Sequence, residues 1–327
     1  MSMVLDAIEA KKNGQPLSAA MIEAVVGGFV QGNVPDYQMS ALLMAIRCKG
    51  LSFEETVELT RVMADSGPRF SFPHCVDKHS TGGVGDKVTM TSLPLVAACG
   101  VPVAKLSGRG LGTTGGTIDK LESIPGWSAD LAEDAFARQV DDVGLVVGAA
   151  GLLAPADGVI YTLRDTTGTV DSLGLIASSI VSKKVATGAG HLLYDVKAGT
   201  GAFMKELGQA RELAELLVRL SGELGIRARA VITDMTSPLG SAVGNALEIR
   251  EAVAFLRGEQ VAPDLAEVAV DEAARLITLH DERPDARSEV EQALHQAKGF
   301  GGPVIVHVLT QKGRGLEAAE QHEEDRL

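Results

Sequence analysis

Aromatic side chains are scarce in this chain, at 4% of 327 residues, while glycines number 37. The cores must therefore be aliphatic, and the loops depend on glycine. Positive charge is short as well: 30 Lys and Arg stand against 43 Asp and Glu, a formal net charge of −13. Nucleic-acid binding draws mostly on neutralising phosphates, so that partner is disfavoured. The cationic residues are instead gathered in a few motifs, as a small anionic ligand requires. Cysteine is nearly absent: Cys48, Cys75 and Cys99 are odd in number, widely spaced, and match neither a disulfide framework nor a metal-ligand spacing. Reduced thiols without a metal site are the simpler reading. No apolar run reaches membrane-spanning length, and the N-terminal MSMVLDAIEAKKNG lacks the apolar core and cleavage site of a signal peptide. The expectation is a soluble cytoplasmic protein with neither membrane nor nucleic acid among its partners.

What is present is an ordinary globular balance, 45% hydrophobic and 22% charged, in a chain long enough for two domains. Residues 3–66 read as helices. Val4, Ala7 and Ile8 form one stripe, Pro16-Leu17-Ser18 opens a second helix through Val30, and Pro35-Asp36 starts a third with Met39, Leu42, Leu43 and Ile46 at helical spacing. Ser52, with Glu55 three residues on, is a capping box for a helix through Met63. SGPRFSF (66–72) breaks the pattern and is a candidate hinge. From Cys75 the texture changes to strands and helices, with VDKHS, VPVAKLS and LVVGAAG as strands and MTSLPLVAACG as a helix. Residues 154–186 read as helical again, and from LYDVKAGTGAFM onward strands and amphipathic helices return. The predicted class is α/β: a small discontinuous helical domain, residues 1–66 and 155–185, packed against a larger α/β domain, residues 67–154 and 186–300. An active site belongs in the cleft between them.

The stretch from Asp77 to Glu122 carries two glycine-rich loops on either side of one apolar segment. The first holds Lys78, His79, Ser80, Gly82, Gly83 and Gly85; the second holds Lys105, Ser107, Gly108, Gly110, Gly115, Gly116 and Thr117. Glycines admit positive φ and let a ligand approach bare N–H groups, while the lysines and hydroxyls add donors for an oxyanion. One such loop is usually just a turn. Two of them, both at the carboxyl ends of predicted strands, favour an anion site over a structural role. His79 alone would read as a satisfied structural side chain, but its Lys and Ser neighbours favour ligand contact. Ser179 and Lys183 share a helix face, with Arg164 upstream. From spacing alone a solvated face is the simpler reading of that pair, and recognition of a heterocycle's hydrogen-bonding edge is the other. Asp165, Asp171 and Asp195 show no ligand geometry and read as structural.

The segments KHSTGGVGDKVT, SGRGLGTTGGTIDKLESIPG, LRDTTGTVDSLGLIASSIVSKK, DVKAGTGAFMK and ITDMTSPLGSAVGNALEIREA resemble, in order, those of the thymidine phosphorylase and pyrimidine-nucleoside phosphorylase family. The resemblance runs to about residue 297. It implies reversible phosphorolysis of pyrimidine (deoxy)nucleosides in pyrimidine salvage, by a homodimer formed through the helical domain. It also implies no cofactor beyond phosphate as co-substrate. Carried over position by position, phosphate is held by Lys78, Ser80, Thr89, Lys105, Ser107 and Thr117. The pyrimidine is held by His79, Arg164, Ser179 and Lys183, of which His79, Arg164 and Lys183 act in catalysis. His79 is expected to titrate near working pH and serve as donor or general acid. The alternatives are an anthranilate phosphoribosyltransferase-like enzyme, for which the acidic magnesium motif is missing, and an inactive truncated binding protein.

The chain departs from the family at Thr113, at Gly168 and Gly174, and at Lys87. Some members bind a monovalent cation at positions matching Gly85, Lys87, Leu239, Ala242 and Glu251. Here the Lys87 ammonium is expected to pair with Glu251 in its place. The family also continues well beyond residue 300. Residues 301–327 form an atypical tail that is similar to a short piece of thiamine-diphosphate enzymes of the deoxyxylulose-phosphate synthase type, without that cofactor's binding motif.

Overall fold

The computed structural model describes residues 2–110, 114–149, 151, 153–281 and 286–298. Four helices come first: α1 (Met3–Lys12), α2 (Ala19–Val30), α3 (Asp36–Lys49) and α4 (Phe53–Ala64). The expected capping box opens α4. Ser52 Oγ accepts from the Glu55 amide at 3.2 Å, and the Glu55 carboxylate accepts from the Ser52 amide at 2.7 Å. Such a cap contributes about 1 kcal/mol. Glu55 also takes the buried Lys11 ammonium at 2.7 Å and the Leu17 amide at 2.6 Å, which pins α1 and the start of α2 to α4. Around this hub Val4, Ile22, Val26, Leu42, Leu43 and Met63 pack with Ala156, Ile160 and Leu175 from far along the chain.

Those late residues belong to α8 (Pro155–Thr167) and α9 (Leu173–Thr187). The sequence predicts one helical stretch there. The structure divides it at Gly168, whose φ of +66° is the left-handed cap that glycine adopts without a Cβ clash. Of the two helices, α9 has a double role, because its opposite side packs on the sheet of the larger domain.

Five parallel strands form that sheet: β1 (Phe72–Ser80), β2 (Val103–Ser107), β3 (Leu145–Ala149), β4 (Ala189–Ala198) and β5 (Arg227–Asp234), in the order β3-β2-β1-β4-β5. The connecting helices are α5 (Val88–Ala98), α6 (Thr117–Leu121), α7 (Glu133–Val143), α10 (Leu207–Glu223) and α11 (Asn245–Leu256), with α12 (Pro263–Asp281) and α13 (Ala286–Lys298) at the end. One sheet face is covered by α5, α12 and α13 through Val76, Leu93, Val96, Leu193 and Leu276. The other is covered by α9 and α10 through Val181, Tyr194, Val196, Leu213 and Leu217. These cores are mainly aliphatic, as the composition requires; aromatic rings gather at Phe70, Phe72 and Phe136, with ring centroids 5.4 to 6.2 Å apart. The protein is thus a small helical domain on a larger α/β domain.

The strand order decides where a ligand fits. The chain winds from β1 outward to β3, passes through α8 and α9, and returns on the other side of β1 as β4. The reversal falls between β1 and β4, and the crevice above their carboxyl ends is where such sheets bind ligands. Residues 66–72, the candidate hinge, run between the domains with bonds to both. Ser66 Oγ accepts from the Ala156 amide at 3.0 Å, and the Phe70 amide donates to Ala186 at 2.8 Å. No helix among the described residues is long and apolar enough to cross a membrane. Thr113 and the tail 301–327 lie outside the described residues.

Candidate functional site

Side chains alternate across a strand. Val76 packs under α5 and α12, so Lys78 and Ser80 share that side of β1, while Asp77 and His79 point to the α9 side. Adjacent residues at the end of β1 therefore serve two compartments.

On the first side Lys78 is fully buried, with Nζ 3.1 Å from Glu272 Oε2 and 3.3 Å from Asp195 Oδ2. Burial pulls its pKa down, but the charges of Glu272, Asp195 and Asp86 more than reverse this and hold the ammonium charged. Asp195, read from sequence as merely structural, accepts from Thr233 Oγ1 at 2.6 Å and pairs with Lys197 at 2.7 Å. Lys105 reaches over from β2 and donates to the Lys78 carbonyl at 2.5 Å. Its pKa falls to about 7, because it is buried and lies beside Lys184, against the weaker pull of Asp77 3.7 Å away. Lys184 holds the other Asp77 oxygen at 2.6 Å and the Leu106 carbonyl at 2.9 Å.

The two glycine loops do converge. Lys120, on α6 behind the second loop, donates to the Asp86 carbonyl in the first at 2.5 Å and pairs with Glu248 of α11 at 2.7 Å. Their donors are not bare, however. Ser80 Oγ donates to Asp86 Oδ2 at 2.5 Å, and the other Asp86 oxygen accepts from the Val88 amide at 3.2 Å. In the second loop Asp119 Oδ2 takes the amides of Gly110 and Gly116, at 2.6 and 2.8 Å. The glycines there permit a chain crossing: a Cβ on Gly116 would lie 2.4 Å from the Gly110 nitrogen. Glycine serves close backbone approach, and the chain's own carboxylates occupy donors that sequence reasoning left open for an anion. Thr89, buried at the start of α5, Ser107, the last residue of β2, and Thr117, the first of α6, line the ends of the same elements.

On the second side His79 lies 6.2 Å from the Tyr194 ring, centroid to centroid. Its pKa is driven well below the usual histidine value, by burial first and then by Lys184, Lys105, Lys183 and Lys78. This corrects the expectation of titration near working pH: the imidazole is neutral, because burial disfavours its charged form and the neighbouring lysines add to that. It remains an N–H donor. From α9, Lys183 donates to Ser179 Oγ at 3.3 Å, so that face is a built polar pair, and Lys183 also pairs with Asp157 of α8.

Arg164 is placed differently. Its buried guanidinium donates to the carbonyls of Val170 and Leu175 at 2.8 and 3.0 Å, and to Thr169 at 3.4 Å, beside a small apolar cavity of ≈ 30 Å³ inside the helical domain. In this geometry it ties the α8–α9 connection that carries Ser179 and Lys183. Asp171, by contrast, makes a surface pair with Arg47 at 2.5 Å.

Sequence reasoning passed over Asp77, Asp157, Lys184, Lys197 and Glu272. Lys184 and Asp77, each next to a lysine in sequence, carried only a weak signal. Glu272 carried a sharper one, since it interrupts the buried stripe Leu265, Ala269, Leu276, Leu279 of α12. The Lys87 ammonium makes its expected pair with Glu251 at 2.9 Å and donates to the Leu239 carbonyl at 2.6 Å. No cluster of His, Cys, Asp and Glu placed to hold a metal ion occurs among the described residues.

A family model described as glycosyl transferase family, a/b domain, matches residues 72–299, and one described as glycosyl transferase family, helical bundle domain, matches residues 5–67. The chain is similar to pyrimidine-nucleoside phosphorylase of Geobacillus stearothermophilus, 51% identical over 78% of this chain and 60% of the relative. It is also similar to thymidine phosphorylase of Mycobacterium tuberculosis, 52% identical over 83% of this chain and 64% of the relative. Pyrimidine-nucleoside phosphorylase of Bacillus subtilis is 47% identical over 91% of this chain and 70% of its own length. The chain thus spans between 60% and 70% of the length of these relatives. Among solved structures, anthranilate phosphoribosyltransferase from Thermus thermophilus shares the fold, with a TM-score of 0.71 at 19% identity, covering 90% of this chain and 94% of that one.

Proposed function

The chain belongs to the glycosyl transferase family, among its pyrimidine-nucleoside and thymidine phosphorylases, and on that premise we propose that it catalyses reversible phosphorolysis of pyrimidine (deoxy)nucleosides in pyrimidine salvage. A phosphate oxygen bonds to the anomeric carbon as the bond from that carbon to the base nitrogen breaks. The electron pair leaves with the base, which takes a proton, and the sugar becomes an α-configured (deoxy)ribose 1-phosphate.

The observation that carries this reading is the divided end of β1. Lys78 faces a set of buried charges beside the glycine loops, while the next residue, His79, faces Ser179 and Lys183 on α9. This reading puts phosphate and base in adjoining compartments, as an in-line displacement at the sugar between them requires. Lys78, Lys105 and the hydroxyls of Ser80, Thr89, Ser107 and Thr117 bind phosphate, with Ser80 turning from Asp86 to do so. Neutral His79 donates an N–H to a base oxygen, and the Lys183 ammonium, with Ser179, stabilises the negative charge that develops on the leaving base. Arg164 acts by holding the loop that aims them. Closure of the helical domain over the sheet brings the halves together.

Inorganic phosphate is the co-substrate and the reading asks for no other cofactor. A homodimer through the helical domain accounts for the exposed apolar side chains Met3, Leu5, Val30, Tyr37 and Met44. Three free thiols suit the cytoplasm. The test is phosphate-dependent release of uracil from uridine and thymine from thymidine by the full chain. Free base with both substrates and none without phosphate supports the reading; no release from either overturns it.

A further inference from the structure

Glu272 has no part in phosphorolysis as assigned above, yet its carboxyl group is buried against the lysine that takes phosphate. It reaches Lys78 from α12, behind the sheet, and is closed off from solvent. The charged groups facing it are Lys78 on β1 and Asp195 and Lys197 on β4. With every group ionised, the ammonium groups of Lys78 and Lys197 would be cancelled by the carboxylates of Asp195 and Glu272, leaving no positive charge in a dry pocket where an anion must bind. Taking up one proton is the least costly correction.

Geometry says which carboxyl takes it. Asp86 is stabilised as an anion by the Ser80 hydroxyl and the Val88 amide, and Asp195 by the Thr233 hydroxyl and Lys197. Neither oxygen of Glu272 meets a donor in hydrogen-bonding geometry among the described residues, and the Lys78 ammonium is close but poorly directed. Asp195 Oδ2, likewise without a well-directed donor, is the acceptor a protonated Glu272 would serve. Burial and the neighbouring Asp195 charge both push the Glu272 pKa well above the ordinary carboxyl value, in agreement.

We propose that Glu272 is a positioning residue of the phosphate subsite: a buried carboxylic acid that keeps its proton, bonds Asp195, and orients Lys78 without cancelling its charge. This rests on the assignment of Lys78 to phosphate. The charge of Lys78 then remains available to the incoming anion, because the group that fixes its position is neutral.

The experiment compares Glu272→Gln and Glu272→Leu with the parent full chain, measuring phosphate KM, nucleoside KM and kcat across pH, with thermal unfolding as the control. Gln keeps a neutral donor, so its phosphate KM should match the parent near neutral pH. In the parent, rising pH ionises Glu272 and raises the phosphate KM. Gln removes the part of that rise that Glu272 causes and leaves the part that Lys105 causes as it loses its charge near pH 7. Leu fills the space without any donor and should keep the fold, since apolar replacement of buried charge is often neutral or stabilising. Its phosphate KM should rise roughly tenfold, with nucleoside KM unchanged. A Gln variant as impaired as Leu overturns the proposal, because the carboxylate would then be what matters. A Leu variant with the parent's phosphate KM overturns it too. A parent chain that releases no base in phosphate overturns the functional reading itself, which separates the two failures.

Discussion

Two buried lysines in this molecule meet opposite fates. Lys11, in the helical domain, gives two hydrogen bonds to Glu55, whose carboxylate also takes the amides of Leu17 and Ser52. Every strong acceptor position there is used, and the pair acts as a clamp between helices. Lys78, in the α/β domain, is as deeply buried and has carboxyls at 3.1 and 3.3 Å, yet its ammonium and three of the surrounding carboxyl oxygens lack well-directed partners. A saturated pair has nothing left to offer a ligand. An under-satisfied one keeps its charge in a dry site, where each unmet hydrogen bond costs about 1–3 kcal/mol until a partner arrives. Burial alone therefore does not separate structural from functional charge here; saturation does.

The strongest way to break that contrast is to remove each lysine. Lys78→Met and Lys11→Met should each destabilise the protein, by about 3 kcal/mol or more where the partner carboxylate is left alone. Only Lys78→Met should abolish phosphorolysis, with kcat/KM for phosphate down about 10³-fold or more. Urea unfolding and steady-state kinetics on both variants check it, and comparable activity losses would end the distinction.

The second compartment comes next. His79→Ala should lower kcat about 10²–10³-fold, the cost of losing one aimed donor at a developing negative charge. Because its surroundings keep the imidazole neutral, the parent's pH–rate profile should show no limb in the ordinary histidine range that His79→Gln removes. A limb abolished by that substitution would restore histidine as a titrating acid.

A smaller effect belongs to Lys105, whose pKa falls to about 7. It is an ammonium below that value and an amine above it, so phosphate affinity is strongest on the acid side and weakens as pH rises through neutrality. Phosphate KM should climb severalfold from about pH 6 to about pH 8, and Lys105→Arg, which stays charged, should climb less.

How much of this was legible beforehand depended on the kind of order involved. Periodicity and caps gave the helices, since Ser52 and Glu55 cap α4 by local chemistry alone. The change of texture from Cys75 into VDKHS gave the strand end. The division of 154–186 at Gly168 was not readable, because whether a glycine caps a helix or sits inside it depends on the tertiary packing around it. Nor was the filling of the glycine loops by Asp86 and Asp119, whose spacing suits a turn as well as a cap. Asp195 looked inert until β4 set it beside β1. Glu272 lies about two hundred residues from Lys78 in sequence, and only α12 packing behind the sheet joins them; its place in an apolar stripe was the one trace of that contact.

The last test asks whether the saturated and unsaturated patterns can be told apart by a null effect. Lys87 is fully buried, and its ammonium meets Glu251 and the Leu239 carbonyl, while Glu251 also accepts from the amides of Ser241 and Ala242 at 2.7 and 2.9 Å. The arrangement resembles Lys11 and Glu55: a covalently tethered cation with its acceptors in place. These are the positions for which the sequence resemblance implies a monovalent ion, and a tethered ammonium needs no ion from solution. Replacing potassium by sodium or choline at constant ionic strength should therefore leave kcat and both KM values unchanged within error. A loss of activity on removing potassium would mean that this carboxylate still has charge to offer, and would move Lys87 from the saturated side of the comparison to the other.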